Sequence, residues 1–341
     1  MKLKALAGAV ALATLGLAQA QTANVTLYGR LDVAVENVRI SGATSGAGGR
    51  SISAVTNDGS RWGMRGREDL GGGTYATFVL ENGFAPDTGT ATQGGLLFGR
   101  HLFVGVGNAA AGEVRLGRNY APMDEEAYLF DPFFFGSNSA QYLEVKYQAR
   151  VDNSIKYLTP RMGGVQGSVL FGLHEKASGA AKVGDFVGAD VNYAAGPLAF
   201  KLSGQQVKVA GALPNTAVTR KDYYLGARFN ADVVIPSVVY FERREPGTSK
   251  YRVFSGGAQI PLGAGRAIVK YSDVRQGVAK SASLGVGYWY ALSKRTAAYG
   301  TYTLNRNGSS SNLLTVAPSF LPNIALGEDI RGLQFGMRHN F

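Results

Sequence analysis

Residues 25–36 read VTLYGRLDVAVE, with Val25, Leu27, Leu31, Val33 and Val35 on one parity and Tyr28, Arg30, Asp32 and Glu36 on the other. A period of two with one apolar and one polar face describes a β-strand lying between two unlike environments. The grammar recurs along the chain: Tyr223, Leu225, Ala227 and Phe229 share a face, as do Leu284, Val286, Tyr288 and Tyr290. Read with its turn punctuation, the pattern predicts about sixteen strands. They include 24–37, 51–68, 73–83, 97–107, 113–119, 142–159 and 330–341. Long connections (38–50, 84–96, 119–141, 208–219, 307–330) tend to alternate with short ones (69–72, 108–112, 195–196, 292–295). Such alternation is what an antiparallel meander gives when one rim faces the cell exterior and the other the periplasm. In a membrane every backbone donor and acceptor must be paired within the protein, so the sheet has to close. The expected fold is all-β, a sixteen-stranded antiparallel transmembrane β-barrel.

The ends of the chain agree. Residues 1–20, MKLKALAGAVALATLGLAQA, carry Lys2 and Lys4, an apolar run and a small-x-small site at 18–20. This is the layout of a secretory signal peptide, so 1–20 are expected to be removed and 21–341 to form a single barrel domain. Taking 20 from 341 leaves 321 residues, and losing two lysines lowers the formal balance from +11 to +9. No later window approaches the apolar length of a spanning helix. With 47 glycines, 17 tyrosines, 17 phenylalanines and no cysteine, the composition favours strands and turns, and no disulfide is available. A soluble β-sandwich or propeller also has period-two strands, but the export signal and aromatic-rich apolar faces speak for a lipid-facing wall. In RGLQFGMRHNF at 331–341, Leu333, Phe335, Met337 and Phe341 share a face with only His339 out of place, so the last strand is expected to run to Phe341.

Taken in order, the motifs resemble the general porins of β-proteobacteria, trimeric sixteen-stranded outer-membrane channels. The resemblance rests on VTLYGRLDVAVE (25–36), SRWGMRGREDL (60–70) with the glycines at 71–73, LFGRHLFVG (97–105), GEVRLGR (112–118), NSIKYLTP (153–160), SKRTAAY (293–299) and GMRHNF (336–341). It implies a water-filled channel for ions and small hydrophilic solutes, a homotrimer, contact with outer-membrane lipid, and Phe341 as the signal read by the outer-membrane assembly machinery. It also implies that the third long loop folds into the barrel and narrows it. Here that connection, 119–141, reads NYAPMDEEAYLFDPFFFGSNSAQ: it holds Asp124, Glu125, Glu126 and Asp131 and no Lys or Arg, inside a basic chain.

Parity tests which cations face that loop. Trp62 and Met64 take the apolar face of their segment, which turns Arg61, Arg65 and Arg67 to the lumen. Leu143, Val145, Tyr147, Val151, Ile155 and Tyr157 share the apolar face of the next long segment, which turns Arg150, Asp152 and Lys156 inward. Strict alternation points Arg118 outward, and for Arg100 it is mute. By resemblance, Arg61, Arg100 and Arg150 form the arginine ladder of the constriction. The +9 balance and inward arginines predict a preference for anions, because fixed guanidinium groups offset the cost of dehydrating them. The aromatics at 133–135 are expected to anchor the loop rather than to touch solute.

Other functions fit less well. A substrate-specific outer-membrane channel would need lumen stacking tracks or very large loops, and neither is evident in the sequence. A barrel enzyme would need a catalytic constellation, but His101, His174 and His339 form none with the serines and carboxylates. No cofactor or metal is expected, given no cysteine and no clustered histidine. The basic residues are dispersed through strands rather than gathered in a patch, so no nucleic acid is expected.

Overall fold

The computed structural model describes residues 24–42, 49–134, 138–140, 142–175, 180–314 and 324–341; the expected signal peptide lies outside them. The first strands are β1 (Asn24–Ser41), β2 (Arg50–Asn57), β3 (Arg61–Gly71), β4 (Thr74–Gly83), β5 (His101–Asn108) and β6 (Gly112–Tyr120). After the third long connection come β7 (Arg150–Leu158), β8 (Val165–Gly172), β9 (Phe186–Ala195), β10 (Leu198–Ala210), β11 (Ala217–Phe229) and β12 (Ile235–Arg244). The chain ends with β13 (Tyr251–Leu262), β14 (Gly265–Gln276), β15 (Ala279–Ala291), β16 (Thr296–Asn307) and β17 (Asp329–Asn340).

Each strand from β3 to β17 pairs antiparallel with the next, and β17 returns to β1 with Arg30 opposite Asn340, so the barrel closes. Both β2 and β3 pair with β1 and are two halves of one stave, which makes the barrel sixteen-stranded. The break is a bulge at 58–60. Asn57 Oδ1 accepts the Gly59 and Ser60 amides, and Ser60 Oγ accepts the Asp32 amide at 2.9 Å. The expected single strand 51–68 is thus interrupted because three residues oppose two on β1.

Parity holds in β1: Leu31 and Val35 are exposed on the outer wall while Asp32 and Glu36 are fully buried on the inner one. It fails over 142–159. There Tyr142–Val145 is one helical turn, α1, and the strand begins only at Arg150. A second bulge, at Gly117/Asn119 against 152–153 with Asn153 at φ 46°, flips the alternation, so Val151 packs inward beside Leu170, Phe186 and Val207. Asp152, expected inside, is exposed and ion-paired with Arg118. Only from Ser154 onward does the expected register return, with Lys156 in and Ile155 and Tyr157 out.

The third long connection folds into the barrel and packs on the inner wall of β10–β17. Met123, Ala127, Phe130 and Val145 form one apolar cluster with Tyr224, Val239, Phe241, Tyr251 and Val253. Lys270 donates to Glu144 at 2.9 Å, both buried, and Asn138 Nδ2 donates to Glu36. Phe133 is buried and lies against Gly285 and Gly287, while Phe134 sits under Arg266 at 5.6 Å, as expected for anchoring aromatics; Phe135 lies outside the described residues. The close approach needs bare wall positions: a Cβ on Gly226 would lie 2.7 Å from Phe130 Cγ. Gly226→Ala should therefore cost about 1–3 kcal/mol as an overpacking change. Thermal unfolding of refolded protein reads this, and adding Phe130→Leu should restore part of the loss.

Candidate functional site

One wall of the lumen gathers cations around a single carboxylate. Inward parity on β4 carries Tyr75, Thr77, Val79 and Glu81, and the β3–β4 and β4–β5 ladders set Glu81 beside Arg61 and Arg100. Arg100 Nε donates to Glu81 at 2.7 Å, Arg61 Nε stands at 3.8 Å, and the Tyr28 and Tyr120 hydroxyls donate at 2.9 and 3.1 Å. Arg30 lies directly opposite Arg61 across the β1–β3 ladder. The Arg150 guanidinium covers the Tyr120 ring at 5.0 Å. Arg65 sits over Tyr28 at 5.1 Å and Arg67 over Tyr75 at 3.5 Å, continuing the row along β3. Arg100 precedes the first residue of β5, which is why alternation could not orient it.

The loop supplies the opposite charge. Glu125 forms an ion pair with buried Lys156 and a longer one of 3.5 Å with Arg115. Burial raises the Glu125 carboxyl, but Lys156 and Arg115 outweigh it and hold the group down to about 2. Asp124 accepts from the Tyr147 hydroxyl at 2.9 Å; burial pushes it up, opposed chiefly by Arg150. Glu126 pairs with Arg161 at 3.1 Å in the β7–β8 connection. Asp131 is 1% exposed and accepts the Phe133 amide at 3.1 Å within the loop's own turn. Tyr128 is exposed at the tip, within electrostatic reach of Arg30 and Arg61.

The geometry therefore joins Arg61, Arg100 and Arg150 through Glu81 and Tyr120, sets Arg65 further along β3, and separates Lys156 as the partner of the loop root. Sequence reasoning passed over Glu81, Arg30, Tyr28, Tyr120 and Arg115. Parity was available for Glu81, whose neighbours Ala76, Phe78 and Leu80 define the opposite, apolar face of β4.

A family model described as Gram-negative porin matches residues 5–310. The chain belongs to the Gram-negative porin family. This porin is 33% identical over 358 residues to outer membrane porin protein 32 of Delftia acidovorans, covering 99% of each chain. It is 29% identical to an outer membrane porin protein of Bordetella pertussis over 89% of this chain and 95% of that one. Among solved structures, the anion-selective porin from Comamonas acidovorans superposes with a TM-score of 0.81 at 30% identity, covering 94% of this chain and 100% of the other. The protein is an outer-membrane diffusion channel, and the barrel above is its wall.

The depressed Glu125 carboxyl has a pH signature. A carboxylate whose folded-state pKa lies below its unfolded value contributes stability that is complete above the ordinary 4.5 and is lost as pH falls toward 2. With the Glu125 side chain 27% exposed, the contribution is on the order of 2 kcal/mol. Thermal midpoints of this porin should therefore fall between pH 5 and 2.5 by more than those of Glu125→Gln.

Proposed function

We propose that this porin prefers anions, and that Arg30, Arg61, Arg65, Arg100 and Arg150 line its constriction opposite loop carboxylates Asp124, Glu125 and Glu126. The observation that carries the reading is the excess of cation over anion at one point: Arg61 and Arg100 share the single carboxylate of Glu81, with Arg30 opposite Arg61. A cluster in which arginines outnumber carboxylates keeps net positive charge at any physiological pH, and low-dielectric walls concentrate its field in the lumen. The Comamonas acidovorans porin is described as anion-selective, which supports the same sign. Small hydrophilic solutes would cross through weak successive contacts and no reaction. The reading includes a homotrimer, removal of residues 1–20 and recognition of Phe341 by the assembly machinery. In its favour, the Phe341 backbone pairs with Gly29 at 3.0 Å in both directions, setting the terminal ring on the closing seam. Reversal potentials in a planar bilayer under a salt gradient test the selectivity. A potential on the chloride side is expected, and one on the potassium side would overturn it.

One observation favours a second reading, a more solute-specific channel. Trp289 and Tyr299 stack on the inner wall at 5.4 Å and 3°, beside Phe133, Phe134 and Arg266. Benzoate blocking the chloride current more strongly than acetate would support it, and equal block would reject it.

A further inference from the structure

The mouth of the channel on the long-loop side holds a recess that no member of the Glu81 cluster lines. Its floor is the ends of β12, β13 and β14, where the ladders set Arg243 opposite Tyr251 and Tyr251 opposite Gln276. The 245–250 connection and Lys146, the residue after α1, complete the lining. The recess measures about 150 Å³, well below the ~300–1,000 Å³ of pockets for drug-sized ligands, so it suits one small ion. Lys146 is fixed from several sides. Its backbone takes φ 45°, which is rare for a residue with a Cβ, and Arg243 Nη2 donates to its carbonyl. Its ammonium donates to the Leu313 carbonyl at 2.9 Å and stands 5.6 Å from the centre of the Tyr251 ring. Backbone strain of this kind persists only where the surroundings over-determine it, and it collects at ligand sites.

Two cations converge there with donors to spare. Arg243 Nε donates to buried Asp222 at 2.8 Å, and Asp222 also accepts from Gln205 and stands 3.6 Å from Arg220. Arg243 Nη1 makes no hydrogen bond among the described residues, and Lys146 uses one of its three donors, for Leu313. Gln276 holds the Ser249 carbonyl at 3.4 Å, while the Ser249 hydroxyl has no partner among the described residues. Burial and the neighbouring Arg243 guanidinium push the Lys146 ammonium below its ordinary value, a repulsion that an anion between the two would relieve. Glu245 is the discordant member: its carboxylate lines the recess with no hydrogen bond or ion pair among the described residues. A carboxylate repels a bare anion but accepts a hydrogen bond from an anion that carries a proton. Chloride and sulfate bring acceptors only. Hydrogenphosphate brings three oxygens for Lys146, Arg243 and Ser249, and one hydroxyl for Glu245.

We propose that this recess binds hydrogenphosphate, with Lys146, Arg243 and Ser249 donating to its oxygens and Glu245 accepting from its hydroxyl. The test is calorimetric titration of the whole protein in dodecyl maltoside at pH 8, with inorganic phosphate as the probe. Wild type should bind phosphate saturably and sulfate, at equal ionic strength, about tenfold more weakly, the order of one hydrogen bond to a charged group. Methyl phosphate, a dianion with no hydroxyl at that pH, should follow sulfate, which separates free phosphate from its esters. Glu245→Gln breaks no ion pair, so it carries little folding risk. Its amide donates as readily as it accepts, so sulfate should bind that variant as well as phosphate does. Lys146→Met and Ser249→Ala should weaken phosphate binding by about tenfold and about threefold. Absence of saturable binding, equal affinity of wild type for sulfate and phosphate, a phosphate preference kept by Glu245→Gln, or undiminished affinity in Lys146→Met would each overturn the proposal. The recess shares no residue with the Arg61, Arg100 and Arg150 ladder, so failure here leaves the anion reading intact, and failure of that reading leaves this one.

Discussion

Replacing Arg61, Arg100 and Arg150 together by serine is expected to abolish most of the anion preference, lowering the anion-to-cation permeability ratio by about tenfold, since lumen charge clusters set potentials of several kT. Arg100 and Arg61 flank Glu81, and Arg150 reaches the same place over Tyr120. Without them Glu81 faces Arg30 and the loop carboxylates, and the excess of positive charge is gone. The triple substitution also strips partners from a buried carboxylate, which costs about 3–5 kcal/mol. Adding Glu81→Gln separates the two effects: it should recover stability while selectivity stays low. Glu81→Gln alone should strengthen anion preference, because it removes the negative charge that those arginines share. Reversal potentials measured on all four proteins decide the matter. Unchanged selectivity in the triple variant would remove these arginines from the constriction.

Alternation read along 25–36 is enough to predict a closed barrel, because every strand of such a wall repeats the same two environments. Sequence reading fails where backbone geometry interrupts the period. At 58–60 and again at 152–153 a bulge inserts residues that no hydrophobic pattern announces, so 51–68 reads as one strand and Val151 and Asp152 take the wrong faces. The stretch 142–149 misleads for another reason. Val145 and Tyr147 are apolar because they pack against the lumen wall as part of the loop, with Leu143 buried beside them in sequence, and a loop packed on protein carries the same residue types as a strand facing lipid. The site was legible on the cation side and obscure on the anion side. Glu81 hid in an ordinary strand, whereas Asp131, in a conspicuous acidic insert, serves the backbone of its own turn.

Lys201→Met is expected to release the root of the loop and raise single-channel conductance with added current noise. Lys201 Nζ is fully buried on β10 and donates to the Pro122 and Glu125 carbonyls at 2.8 and 2.7 Å, to Asp190 at 2.7 Å and to Asn192 at 3.0 Å. One ammonium thus ties the loop's first turn to the barrel wall and also neutralises Asp190. Methionine keeps the length and loses every bond, leaving two loop carbonyls without this donor and the buried Asp190 without its counter-ion, held only by Ser168 and Asn192, at about 3–5 kcal/mol. Two consequences can be told apart. Lys201→Met/Asp190→Asn removes the stranded charge and should regain most of the thermal midpoint, yet the carbonyls at 122 and 125 still lack their donor, so the conductance should stay raised. Apolar packing of Met123, Ala127 and Phe130 would still hold the middle of the loop, so the pore should widen at the root rather than open fully. Wild-type conductance in both variants would mean that this packing and the remaining ties, Lys156 to Glu125 among them, position the loop without Lys201, and that the lysine serves only Asp190.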